Sequence, residues 1–232
     1  GQLYGRLLTP ELVRPPVSES ACNFRHGWAA MQIHLALREP PRWTDPELGR
    51  VAVMHLADGL DGVSRAVNEA ECGLLPARGT IALGQPAALD PSRVPEGKGQ
   101  LWIQILELPA RIKGDAAGQI AIPADGRWTD AVREAYADRI VDRICAQVPG
   151  LKESILARRV LSPADLEHIN VNLVGGDPYG GACSLDQMLV WRPMAGRRNF
   201  ETPVRRLFHI GASTHPGPGL GGGSGYALAA RL

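Results

Sequence analysis

LWIQILELPA, residues 101–110, carries the strongest strand signal in the chain. Apolar side chains recur on both of its faces, as in a strand covered on both sides, so the run reads as a central strand. Upstream, MQIHLAL (31–37) alternates, with Met31, Ile33, Leu35 and Leu37 on one side and Gln32, His34 and Ala36 on the other. That is a strand packed on one face. VAVMHL (51–56) and TIALGQ (80–85) read as further strands. Between them, GLDGVSRAVNEAECGLL (59–75) spaces Val63, Val67 and Ala70 as a short helix does. PPRWTDPELG (40–49) and PAALDPSRVPEGKG (86–99) are irregular connections, and residues 1–20 form a polar lead-in broken by prolines.

Downstream, TDAVREAYADRIVDRICAQV (129–148) places Val132, Tyr136, Ile140, Ile144 and Val148 four apart. This predicts an amphipathic helix of about five turns, stopped by Pro149–Gly150. LKESILARRVL (151–161) reads as a short helix or a helix followed by a strand, and SPADLEHI (162–169) opens with a helix start. There Ser162 is the N-cap, Pro163 the first helical residue and Asp165 the third. Residues 170–193 are mostly loop around a short helix, and VRRLFHI (204–210) is a last strand. The fold class is α+β, a mixed α/β arrangement without the regular strand–helix alternation of a complete doubly wound domain.

Composition narrows the function classes. Lys+Arg 25 against Asp+Glu 24 leaves a net charge of +1, too little for a broad basic field that attracts nucleic acid or acidic lipid. Cysteines at 22, 72, 145 and 183 fit neither a zinc pattern nor a disulfide scaffold, which points to a reducing, cytoplasmic setting. Membrane association is not indicated, because no run of 18 apolar residues occurs. His26, His55 and His168 make no metal-binding spacing. A chain that starts at Gly1 rather than Met fits a processed or excised piece.

The chemistry-bearing stretch is GASTHPGPGLGGGSGYALAARL (211–232). A glycine-rich turn feeding a helix leaves backbone N–H groups without partners, and those donors suit a phosphate, a carboxylate or an electron-rich ring edge. Glycines at 211, 217, 219 and 221–223 let a ligand approach the backbone, while Pro216 and Pro218 stiffen the bend. From spacing alone a plain glycine-rich turn fits as well. The stretch is not the dinucleotide fingerprint, since no chain follows to carry its acidic residue.

Together with GGDPYGGACSLDQMLVWRP (175–193), the segment LFHIGASTHPGPGLGGGSGYALAA (207–230) resembles the C-terminal portion of the phytoene desaturase-like FAD-dependent oxidoreductases, within the amine-oxidase-like flavoproteins. The resemblance implies a substrate-domain-like region over 21–170 and, over 171–232, a return to the FAD-binding domain. It implies a cofactor site of Gly211, Ala212, Ser213, Thr214, His215, Pro216, Gly217, Pro218, Gly219, Leu220, Gly221, Gly222 and Gly223. Gly211–Ser213 would lie beside the ribityl–pyrophosphate of FAD, and an N–H near Leu220 or Gly221 against the flavin ring. His215 is the catalytic candidate, as a proton relay or a backbone-shaping group. His34, Asp177, Tyr179 and Gln187 are substrate-cavity candidates. Gln187 and Arg192 read equally as hydrogen-bonding supports, and GGDPYGG first as a turn pair.

The family's N-terminal strand–GxGxxG–helix unit is absent, so the resemblance implies a fragment whose partner is that missing FAD-binding region. FAD binding by the chain alone would be weak or absent. The parent would act on an organic, hydrophobic small molecule. Two other classes stay open. One is a non-catalytic module that associates with a protein partner, including a second copy of itself as a homodimer. The other is a nucleotide-phosphate binder, disfavoured because no lysine motif accompanies the glycines.

Overall fold

A computed structural model of the chain describes residues 2–194, 200–219 and 222–232, and it divides into two compact units. One is continuous, Trp28–Leu166; the other joins Gly1–Gly27 to Glu167–Leu232. Residues 21–27 and 167–170, expected in the substrate-domain-like region, thus group with the second unit, and so does the proline-broken lead-in.

In chain order the elements are α1 (Pro15–Cys22), β1 (Ala29–Leu37), β2 (Val53–Leu56), α2 (Gly59–Glu71), β3 (Leu74–Leu75), β4 (Ile81–Gly84), β5 (Gly99–Leu108), β6 (Gly114–Asp115), α3 (Asp130–Cys145), α4 (Leu151–Ser154), β7 (Ile155–Leu161), α5 (Pro163–Ile169) and α6 (Gly223–Ala229). Short 3-10 turns lie between them, and the expected irregular connection over 86–99 contains two.

The continuous unit is built on a five-stranded sheet in the order β2-β4-β5-β1-β7, with every neighbouring pair antiparallel. β5 is its middle strand, as the two-sided apolar run of 101–110 requires. β1 and β5 pair with Ile33 opposite Ile103 and Leu35 opposite Leu101, which keeps their buried residues on one face. An irregularity between Ala29 and Met31 shifts the register by one residue. β3 and β6 form a separate parallel pair.

α3 completes the core: Val132, Tyr136, Ile140 and Ile144 are all buried and join Met31, Ile33, Leu35, Leu101, Ile103 and Ile105 in one cluster. The helix starts where Thr129 Oγ1 accepts the Val132 N–H at 3.4 Å. Its flank is tied down by a fork in which Arg139 donates to both oxygens of Asp115, at 2.7 and 2.6 Å. In α2 the fully buried positions are Ala66 and Ala70, with Val63 and Val67 half-buried beside them. α4 passes directly into β7, so 151–161 is a helix and then a strand. α5 begins on a reciprocal cap, with Ser162 N–H donating to Asp165 Oδ2 at 2.8 Å and Asp165 N–H to Ser162 Oγ at 3.3 Å.

The other unit is loop-rich. Its small apolar cluster joins Val13, Val17 and Met194, with Tyr4, Leu8 and Ala21 against it. Two expectations fail here. The lead-in forms α1, which starts on Pro15 and Pro16, where the lost N–H groups would be unpaired in any case. The strand expected over 204–210 is instead a tight turn. Arg206 has φ +66, and Glu201 and Phe208 meet in a single antiparallel bridge with His209 N–H donating to Phe200 O at 2.8 Å. Thr202 Oγ1 takes up the turn by donating to Leu207 O at 2.8 Å. A residue with positive φ cannot sit within a continuous strand, and apolar content alone does not reveal it. Among the described residues, no helix is long and apolar enough to cross a membrane.

Candidate functional site

The site is built within the unit that joins the two chain ends, and three buried polar side chains set its frame. Asp177 is 1% exposed, and its carboxylate accepts N–H groups from Gly27 at 2.8 Å, Tyr179 at 2.7 Å and Gly181 at 2.7 Å. Burial alone would raise its pKa. The His26 ring, with Nδ1 3.7 Å away, and the three N–H donors outweigh burial and hold the carboxyl below its ordinary value. Gln187 behaves as a short strand edge: its Oε1 accepts the Arg25 N–H at 2.9 Å and its Nε2 donates to Arg25 O at 2.7 Å. Arg192 is 2% exposed and spends its guanidinium on carbonyls, donating to Ala212 O at 2.9 Å, Ala182 O at 3.2 Å and Tyr179 O at 2.7 Å. It therefore pins the 175–193 loop to the 211–213 bend. Gly181, at φ +139, has to be glycine, because a Cβ there would run into the Phe24 ring.

The bend itself is partly self-satisfied. Gly211 N–H donates to Ser224 Oγ, in the first turn of α6, at 2.9 Å. Thr214 is fully buried, and its N–H and Oγ1 both donate to Gly211 O, at 3.0 and 2.9 Å. Gly217 N–H closes the next turn on Thr214 O at 2.7 Å. Among the described residues, the N–H groups of Ala212, Ser213 and His215 make no hydrogen bond.

Gly211, Ala212 and Ser213 line one wall of a cavity of about 510 Å³. Gln2, Tyr4, His26, Asn170, Asn172 and His209 supply its other polar side chains, and Leu3, Phe24, Met194, Phe208 and Ile210 much of its apolar surface. No lysine, arginine or carboxylate lines it among the described residues. His209 Nε2 lies 3.1 Å from Ser213 Oγ, and its ring meets Tyr4 edge-on with centroids 6.1 Å apart. Burial pushes the His209 pKa down. At Gly211, φ is +113 and a Cβ would meet nothing within 4 Å, so the backbone is bare on its open side.

The residues singled out from the sequence fall into three groups. Gly211, Ala212 and Ser213 reach the cavity. Thr214, His215, Pro216, Gly217, Pro218 and Gly219 continue the bend outside its lining, and Gly222 and Gly223 start α6; Leu220 and Gly221 lie outside the described residues. Asp177 and Gln187 are buried supports, and Tyr179 offers its carbonyl to Arg192, while the cavity lining takes Pro178 and Gly180 from that loop. His34 belongs to the other unit, exposed on β1. Sequence reasoning misses Tyr4, His26 and His209. His26 fits no metal spacing, His209 lies in the run 204–210 that reads as a strand, and Tyr4 sits in the lead-in. Nothing local in the sequence brings residues 4, 26 and 209 together.

No protein-family model matches the chain. Among curated proteins it is 35% identical over 161 residues to pyridine nucleotide-disulfide oxidoreductase domain-containing protein 2 of Mus musculus, covering 69% of this chain and 26% of that protein. It is 26% identical over 147 residues to the lycopene-forming phytoene desaturase of Pseudescherichia vulneris, covering 62% and 26%. It is also 26% identical over 147 residues to 4,4'-diapolycopen-4-al dehydrogenase of Metabacillus indicus, covering 63% and 26%. The matched stretch thus spans about a quarter of the length of each of these relatives.

Proposed function

The chain is a relative of the phytoene desaturase-like oxidoreductases, and from that premise we propose that it supplies part of the cofactor site of an FAD-dependent oxidoreductase. The observation that carries this reading is the cavity wall of Gly211, Ala212 and Ser213, whose Ala212 and Ser213 N–H groups are unpaired among the described residues. Such donors suit the ribityl–diphosphate stretch of FAD, because fixed backbone dipoles bind phosphate oxygen without a nearby cation. The bare side of Gly211 leaves room for close approach. Arg192 ties the bend to the 175–193 loop, whose 177–181 turn is held by Asp177. When bound, FAD supplies hydride exchange with an organic, hydrophobic substrate. The remaining FAD contacts would come from a dinucleotide-binding region such as the family carries, in a reducing, cytoplasmic setting consistent with four free cysteines.

The test is flavin content. Protein expressed from the complete reading frame should purify with visible flavin absorbance, and Ser213→Trp should lose most of it while keeping its circular dichroism. Full flavin occupancy in a folded S213W variant would sink the placement. Calorimetric titration of the 232-residue chain with FAD should show weak or no binding.

A second reading, association with a protein partner, draws on exposed apolar residues in the 185–191 loop: Leu185 is 93% exposed, Leu189 61% and Trp191 51%. Sedimentation of the chain and of a Leu185→Glu, Trp191→Glu variant would separate self-association from a monomer.

A further inference from the structure

Ser213 is the only hydroxyl residue among the described lining residues apart from Tyr4, and its polarity toward the cavity depends on one neighbour. His209 Nε2 stands 3.1 Å from Ser213 Oγ. The other ring nitrogen, Nδ1, is buried and has no hydrogen-bond partner among the described residues. A neutral imidazole carries one proton, and the two placements are not equal in cost. With the proton on Nδ1, a buried N–H goes unpaired while Nε2 accepts the Ser213 hydroxyl. With the proton on Nε2, the ring donates to Ser213 Oγ and only a bare lone pair is left unpaired. Orphaned buried N–H groups are rarer in folded proteins than under-satisfied acceptors. A doubly protonated ring would bury both a charge and that same unpaired N–H.

We propose that His209 is a positioning residue that donates through Nε2 to Ser213 Oγ and so makes Ser213 a hydrogen-bond donor toward the ligand. The hydroxyl oxygen is occupied by the imidazole N–H, which leaves its proton for an electron-rich atom in the cavity. Among the described residues the Ala212 and Ser213 N–H groups are also unpaired, so this wall offers three donors. The ligand chemistry it selects is a chain of phosphate and hydroxyl oxygens, in preference to an amine or an amide N–H. The inference rests on the flavin reading above, because it names which part of FAD this wall takes. The side chain, and not the backbone, carries it. The Tyr4 ring also packs edge-on with the imidazole, centroids 6.1 Å apart.

The experiment is a double-mutant cycle on FAD affinity in the protein from the complete reading frame, with flavin fluorescence as the readout and a thermal melt for each variant. Ser213→Ala should weaken FAD by about tenfold, the worth of one hydrogen bond to a charged group. His209→Phe should weaken it by a similar factor, and the double variant by no more than S213A alone. His209→Gln, whose amide can donate at the same place, should recover most of the affinity. A long-range ¹⁵N–¹H spectrum should show the His209 proton on Nε2. Losses that multiply in the double variant, an unchanged affinity in H209F, or a proton on Nδ1 would each overturn the proposal. If the unmodified protein binds no FAD at all, the flavin reading fails instead, and the ¹⁵N spectrum still decides the tautomer.

Discussion

Asp177 and Arg192 are the two charged side chains that the site unit buries most completely, at 1% and 2% exposure; among the described residues neither pairs with a Lys, Arg, Asp or Glu side chain, and Asp177 has only the His26 ring, 3.7 Å away. Each is neutralised by backbone dipoles: three N–H groups point at the carboxylate, and at least three carbonyls at the guanidinium. Because the folded pKa of Asp177 is depressed, its contribution is fully present above the ordinary value of 3.8 and is lost as pH falls toward the folded value. Acid titration of Asp177→Asn should therefore show a flatter decline in stability below about pH 4 than the parent chain. At neutral pH the variant should be weaker by about 1–3 kcal/mol, since an amide nitrogen now faces N–H donors. Arg192→Lys should behave like a deletion. A lysine cannot fork to carbonyls on both loops, and urea unfolding should report a loss of about 2–3 kcal/mol.

At the level of elements, periodicity is a sound guide wherever one face is buried by many residues. The four-apart series from Val132 to Val148 is α3 and its continuation, and the two-sided apolar run is the middle strand of its sheet. Ile140→Ala should cost about 2–5 kcal/mol, as buried large-to-small changes do. Ser162→Ala, which removes one half of the α5 cap, should cost only about 1 kcal/mol. Chemical denaturation of the two variants gives the comparison directly. Legibility ends where local signals conflict with a turn. Residues 204–210 carry enough apolar side chains for a strand, yet Arg206 takes positive φ and the segment doubles back. α1 is hidden because two prolines at its start look like a break, although the first helical turn tolerates them. The cavity is half legible: Gly211, Ala212 and Ser213 stand out from their motif, while Tyr4, His26 and His209 reach it only through long-range folding.

For the molecule as a whole, the two units differ in how the chain supplies them. Trp28–Leu166 is one uninterrupted piece with a single large core. Expressed by itself it should unfold cooperatively and show dispersed amide resonances. The complementary piece 167–232 should not, because Gly27 donates to Asp177, Arg25 bonds Gln187, and Gln2 Nε2 donates to Val171 O at 2.7 Å. Adding a peptide of residues 1–27 should restore structure to it; a well-dispersed spectrum from 167–232 alone would refute this. The division also sets a timetable for synthesis. Val13 and Val17 are translated early, but their partner Met194 follows more than 170 residues later. At roughly 5–20 residues per second, the wait on the ribosome is on the order of ten seconds or more. Throughout it, Val13 and Val17 lack Met194, while residues 28–166 can already be complete. That interval is when a chaperone, or a neighbouring nascent chain, has its opening.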